Sequence, residues 1–186
     1  MESSMATEEV AAPSMYTTIY LDERVSLSPK ERNAVDSPEA IRHLLEQKLR
    51  EAYESKCHTS GYVRTGSLKL LAKSMGLYEH GRFTGNVLYD CRSSCDVYYP
   101  TANSIIDVKI HKLNKMGAIA LLSTDDNAMR ITIPRELHSG DLVFSALEVG
   151  MNVSVKLLRS RFQTNDPFIT AIGKLHTVEE PTLSVR

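Results

Sequence analysis

A chain of 186 residues, 42% of them hydrophobic and 24% charged, has room for one ordinary domain or two small ones and the make-up of an average globular protein. Its formal net charge of −1 excludes a protein that coats nucleic acid by bulk charge, so any such site has to be a local patch. No apolar run approaches the ~18 residues that span a bilayer. The opening stretch, Met1 to Met15, lacks the basic start and apolar centre of a secretory signal, and the three cysteines are therefore expected as thiols in a reducing compartment.

In chain order, residues 1–14 are mostly Ser, Thr, Glu and Ala, with one proline, which predicts a disordered tail with nothing to bury. Tyr16 to Leu21 is rich in β formers, and Val25-Ser26-Leu27-Ser28 continues the alternation until Pro29 stops it. A helix follows. Ser37 can cap it, Pro38 suits its first turn, and Glu39 faces the positive helix end. Ile41, Leu44, Leu45, Leu49, Ala52 and Tyr53 fall on one face and Arg42, Glu46, Gln47 and Arg50 on the other, with the end expected near Ser55–Cys57. Gly61 to Leu70 is predicted as one strand. A loop around Gly76–Gly85 leads to separate β segments at Val87–Tyr89 and Asp96–Tyr99, which end at Pro100. Residues 15–100 thus predict an α+β unit, one helix on a small sheet.

From about Thr101 the helical period disappears. Strands are predicted at 104–113, 118–123, 128–133, 152–161 and 167–175. Turn residues separate them at Asn114–Gly117, Asp125-Asp126-Asn127 and Asn165-Asp166-Pro167. Five strands over 101–177, with a longer connection between the third and fourth, are the outline of an all-β OB barrel. Arg135-Glu136-Leu137-His138 in that connection fits one helical turn. Residues 178–186 read as a tail.

Nine Lys/Arg and seven Asp/Glu fall between residues 101 and 177, with Asp125, Asp126 and Asp166 in turns. Lys109 and His111 alternate with Val108 and Ile110, and Lys156 with Val155 and Leu157, so these polar residues should point out of the barrel. Arg159 and Arg161 share a face, and Phe162 follows with a ring that can meet a base. Cations beside a ring on an OB surface are how sequence-tolerant single-strand binding is built, although charged strand faces are commonly no more than solvated surface. The candidate RNA contacts are Lys109, Lys112, Lys115, Arg130, Lys156, Arg159, Arg161 and Phe162.

Other chemistry finds little to stand on. Cys57-His58, His80, Cys91 and Cys95 supply thiols and imidazoles, but no C-x-x-C pair exists. Cys91 and Cys95 on one strand would lie more than ~10 Å apart, so no metal or other cofactor is expected. There is no phosphate loop, no nucleophile elbow and no assembled triad, which points away from an enzyme. Tyr62, Tyr78, Tyr89, Tyr98 and Tyr99 give the first half many tyrosines, the residue that suits both interfaces and cores.

Taken in order, these segments resemble a known family, the elongated stalk subunits of multisubunit DNA-directed RNA polymerases (the subunit-seven type of eukaryotes and its E-prime counterpart in archaea). The resemblance covers roughly residues 16–177. In the first half it rests on the helix followed by Cys57 and Gly61-Tyr62-Val63, and on the strand before Pro100. In the second half it rests on Ile106-Asp107-Val108, Leu113-Asn114-Lys115-Met116-Gly117 and Ile131-Thr132-Ile133-Pro134. It closes on Val155-Lys156-Leu157-Leu158-Arg159-Ser160-Arg161 and Ala171-Ile172-Gly173-Lys174. It implies an N-terminal tip domain followed by an OB domain of the ribosomal S-one type. The tip would dock on the polymerase core, and on a second stalk subunit where one exists. Contact is expected around Gly61–Thr65 and Gly76–Gly85, with Gly61, Tyr62, Arg64 and Tyr78 as candidates. The barrel would touch emerging single-stranded RNA, in the nucleus, or in a virus factory or virion for a large-DNA-virus version.

The sequence departs from the family where bases stack. Met116 and Ile119 occupy places often held by aromatics, and Thr132 one often held by histidine, so RNA contact is expected to be mainly electrostatic. The same residues are open to a second reading, a free-standing RNA-binding OB module in translation or RNA turnover.

Overall fold

The computed structural model describes residues 15–81, 83–122 and 127–178. The leading tail, the Asp125-Asp126 turn and residues 179–186 lie outside the described residues. The chain is mostly β. Its first half runs β1 (Thr17–Leu27), α1 (Pro29–Asn33), α2 (Pro38–Tyr53), β2 (Cys57–His58), β3 (Gly61–Val63), β4 (Lys69–Lys73), β5 (Leu77–Tyr78) and β6 (Val87–Tyr98). Strand β6 is the spine. It pairs antiparallel with β1 along its whole length, and its other edge takes β5, β4 and β3 in turn; β2 then pairs with β3.

The alternation in β6 explains its length. Val87, Tyr89, Cys91, Ser93, Cys95 and Val97 are buried while Asp90 and Arg92 face solvent, so one pattern runs through what the sequence suggested were two segments. The single strand expected over Gly61–Leu70 is instead two. Ser67 Oγ donates to the Arg64 carbonyl at 2.7 Å, Gly66 takes φ +74°, and the turn they make separates β3 from β4. Pro29 ends β1 as expected but also opens α1. Ser28 caps that short helix, with Glu31 closing a reciprocal capping box.

Helix α2 starts at the Ser37 cap and buries Ile41, Leu45 and Leu49 against Leu21, Leu27, Val63, Leu68 and Leu70 of the sheet. Complete burial of a leucine such as Leu45 contributes about 1.5–3 kcal/mol. Arg42 and Arg50, expected to face away, reach sideways to β4 and its approach. Arg42 donates to the Leu70 carbonyl and Arg50 Nε to that of Leu68 at 3.3 Å.

The second half runs β7 (Ile105–Asn114), β8 (Gly117–Leu122), β9 (Met129–Pro134), a 3-10 turn at Arg135–His138, α3 (Leu142–Ser145), β10 (Asn152–Arg161) and β11 (Ile169–Val178). These five strands form a closed barrel in the order β10-β11-β9-β8-β7, compatible with an OB barrel. The β9–β11 pair is parallel and the other pairs are antiparallel. Val108, Ile110, Ala120, Ile131, Ile133, Val155 and Leu157 fill the interior with almost no exposure. Gly173 is buried in β11, where a Cβ would collide with the Val155 side chain, so the Ala171-Ile172-Gly173 run meets a packing limit. In the connection, α3 and a buried His138 were not anticipated. His138 stacks on Phe144 at 4.7 Å between centroids, pairs through Nδ1 with the Pro134 carbonyl at 3.0 Å, and accepts the Leu175 amide at Nε2. The ring ties β9, α3 and β11 together in one tautomer.

The sheet and the barrel touch through β2 and the β10–β11 loop. The Cys57 amide donates to the Asp166 carbonyl and the Asn165 amide to the Cys57 carbonyl, both at 2.8 Å. Tyr99 meets Phe162 edge to face with centroids 5.9 Å apart. Cys57, Tyr62 and Tyr98 belong to the barrel's own hydrophobic cluster.

Candidate nucleic-acid interface

Strand register places most of the candidate cations in two rows around the barrel wall. Along one row Lys109 of β7 is opposite Leu121 of β8, Leu121 opposite Arg130 of β9, Arg130 beside Thr170 of β11, and Thr170 opposite Arg161 of β10. Two residues further along β8, β9, β11 and β10, and three along β7 where the register shifts, the second row runs Lys112, Ile119, Thr132, Ile172, Arg159. Neither row contains an acid. All five cations are exposed; alternation sends the neighbours of Lys109 and Arg130 inward, while Lys112 and Arg159 follow irregularities in the register.

The rows have a shape. With strands ~4.8 Å apart, Arg130 stands two strands from Lys109 on one side and two from Arg161 on the other. The wall between is β8, β9 and β11, and it offers Ile119, Leu121, Thr132, Thr170 and Ile172. Because these five strands close on themselves, each row runs round the barrel, with Arg130 part-way between the Lys109 and Arg161 strands, and a phosphodiester chain that follows it can meet the cations in succession. Such contacts position a strand without reading its sequence.

Three candidates sit elsewhere. Lys156 is opposite Ile105 and Lys174, away from the two rows. Lys115 lies in the turn between β7 and β8, beside the exposed Met116, Thr132 and Arg135 in an open groove of about 610 Å³. Phe162 is half-buried, packed on the barrel core and edge to face on the exposed Tyr99. The ring that sequence reading passed over is Phe168, which follows the Asn165-Asp166-Pro167 turn. The Arg130 guanidinium lies over it at 4.1 Å from the centroid, a cation–π contact.

The candidate docking residues divide in the same way. Gly61 is buried at φ +129°, where a Cβ would collide with the Tyr98 carbonyl, and Tyr62 is 3% exposed. Both are largely internal, and Tyr62 meets the surface only in the groove between the sheet and the barrel wall. Arg64 is exposed with its guanidinium 5.0 Å from the Tyr16 ring centroid. Tyr78 is exposed on β5, in a run with exposed Met75, Leu77 and Phe83. Leu77, Tyr78 and Phe83 all fall within the Gly76–Gly85 stretch where contact is expected, and Met75 directly precedes it. Of the other tyrosines, Tyr89 and Tyr98 are buried and Tyr99 is exposed.

Cys91 and Cys95 both point to the core side of β6. Burial pushes the Cys57 and Cys95 thiols up to about 11, with Asp166 adding to the first and Asp96 and Glu54 to the second. Among the described residues no three His, Cys, Asp or Glu side chains converge as metal ligands. No helix among them is long and apolar enough to cross a membrane. No protein-family model matches the chain, and comparison with curated proteins finds no match.

Proposed function

We propose that this chain is a non-catalytic stalk-type subunit of a multisubunit DNA-directed RNA polymerase, whose barrel contacts single-stranded RNA leaving the enzyme. The observation that carries the RNA half is the pair of acid-free rows round the barrel that hold Lys109, Lys112, Arg130, Arg159 and Arg161. The first-half unit serves as the tip that docks on the enzyme. The exposed Met75, Leu77, Tyr78 and Phe83 are the apolar side chains such docking would use, since exposed apolar surface marks interaction sites. The family assignment itself rests on the ordered sequence resemblance. The barrel supports it as a fold of the right kind, and a fold by itself does not carry function.

The test is capture of the tagged full chain from its native source, with the co-purifying proteins identified by mass spectrometry. The large polymerase subunits in near-equal amount are the expected result. Ribosomal or RNA-decay proteins in their place would favour the free-standing RNA-binding module.

A further inference from the structure

The residues between the cations in the two rows include no aromatic ring, yet at Leu121 and Arg130 they border a groove of about 600 Å³ where the barrel wall meets the first sheet. That volume falls in the ~300–1,000 Å³ range of small-ligand sites. One wall is the barrel surface, with His111, Leu121, Arg130 and Phe168. The other comes from the sheet, where Ser55 and Thr65 join hydroxyls at 2.7 Å. Ser55 holds φ +60° and its amide donates to the Val63 carbonyl at 3.1 Å, which fixes that wall. No acidic side chain among the described residues lines the groove.

The guanidinium of Arg130 is a flat, charged plate held in place by the ring beneath it. Unpaired bases stack on arginine planes as they do on aromatic rings, and an imidazole and two hydroxyls beside the plate are donors and acceptors for a base edge. A purely phosphate-binding site would need neither a guanidinium seated over a ring nor a second wall. We propose that this groove is a nucleotide subsite that takes one unpaired RNA base onto the Arg130–Phe168 stack, while the chain on either side follows the cationic rows. The proposal rests on the RNA reading above and supplies the stacking position that Met116, Ile119 and Thr132 do not.

The test compares wild type with Arg130→Lys in the full chain, using a short oligouridylate probe across a range of salt. Lysine keeps the charge and any phosphate contact but loses the plane. Loss of one stacked base weakens binding roughly tenfold, and an unchanged salt slope with that loss is the expected result. The matching cross-link from a single 4-thiouridine should fall on peptides containing Phe168 or Arg130. Wild-type affinity in the lysine variant, or a cross-link confined to the Met116 hairpin, would overturn the groove and leave the RNA reading standing. Failure of the wild-type protein to bind the probe at all would overturn both.

Discussion

Asp22 and Arg92 stand directly opposite each other on β1 and β6, and the guanidinium holds the carboxylate through two bonds, of 2.7 and 2.8 Å. Two residues along the strands the signs are exchanged, with Arg24 Nε on Asp90 Oδ1 at 2.7 Å. The bond from Arg92 holds the Asp22 carboxyl below its ordinary range. All four side chains are more than half exposed, so solvent screens both pairs. A double-mutant cycle on Asp22→Asn and Arg92→Gln should give a small coupling at low salt that disappears near 1 M, where the screening length is ~3 Å. Coupling unchanged at high salt would contradict this account of the pair.

Glu31 carries an acid-sensitive contribution. The bond from Lys48, followed by those from the Ser28 amide and hydroxyl, lowers its carboxyl from 4.5 to about 2. A lowered native value means the unfolded chain takes up the proton first. The contribution is therefore whole above pH 4.5 and is lost as pH falls from 4.5 toward 2. Glutamine at this position keeps a capping box but does not titrate. Stability of Glu31→Gln, measured by urea unfolding, should fall less steeply than wild type across that window. Parallel curves would remove Glu31 from the acid response.

Tyr98 is 3% exposed, and its hydroxyl has no hydrogen-bond partner among the described residues. Burial pushes it up to about 12. An unpaired buried hydroxyl costs ~1–3 kcal/mol. Tyr98→Phe keeps the ring that packs on Tyr16 and removes the uncompensated atom, so stability in urea should hold or rise, by up to about 1 kcal/mol. A loss above about 1 kcal/mol would show that the hydroxyl has a partner.

The three cysteines are all at or below 2% exposure, and burial raises each thiol. Reaction follows thiolate and access. Iodoacetamide at about pH 8, below the ordinary thiol value of ~8.5, should leave the native protein unmodified and label all three cysteines after denaturation, as counted by intact-mass spectrometry. Rapid labelling of any one thiol in the native state would show local opening around it.

The barrel was legible because its signal is local. Val108 and Ile110 against Lys109 and His111 gave the period, and Asn114–Gly117 gave the turn, so β7 to β11 lie within a few residues of expectation. The first half was harder, because β6 satisfies three short strands on one edge and none of them has enough residues to show a period. Gly61 and Tyr62 read in sequence as the start of a strand and, by resemblance, as a docking contact. Only the approach of the Tyr98 backbone shows that they are internal. The rows of cations were legible as exposed positions but not as rows, since register around a closed barrel depends on pairing between distant strands. Phe168 and Arg130 are 38 positions apart in the numbering, so no local pattern could join them.

The salt dependence of RNA binding tests the central claim, that the barrel wall is a contact face for a single strand. Log affinity for an oligouridylate is measured against log salt for wild type and for Arg159→Glu/Arg161→Glu. Each phosphate contact on a single strand contributes roughly 0.7 to the slope, so the double variant should bind more weakly, with a slope shallower by roughly 1.4. A slope equal to wild type would show that these arginines meet no phosphate and that the charged rows are solvated surface.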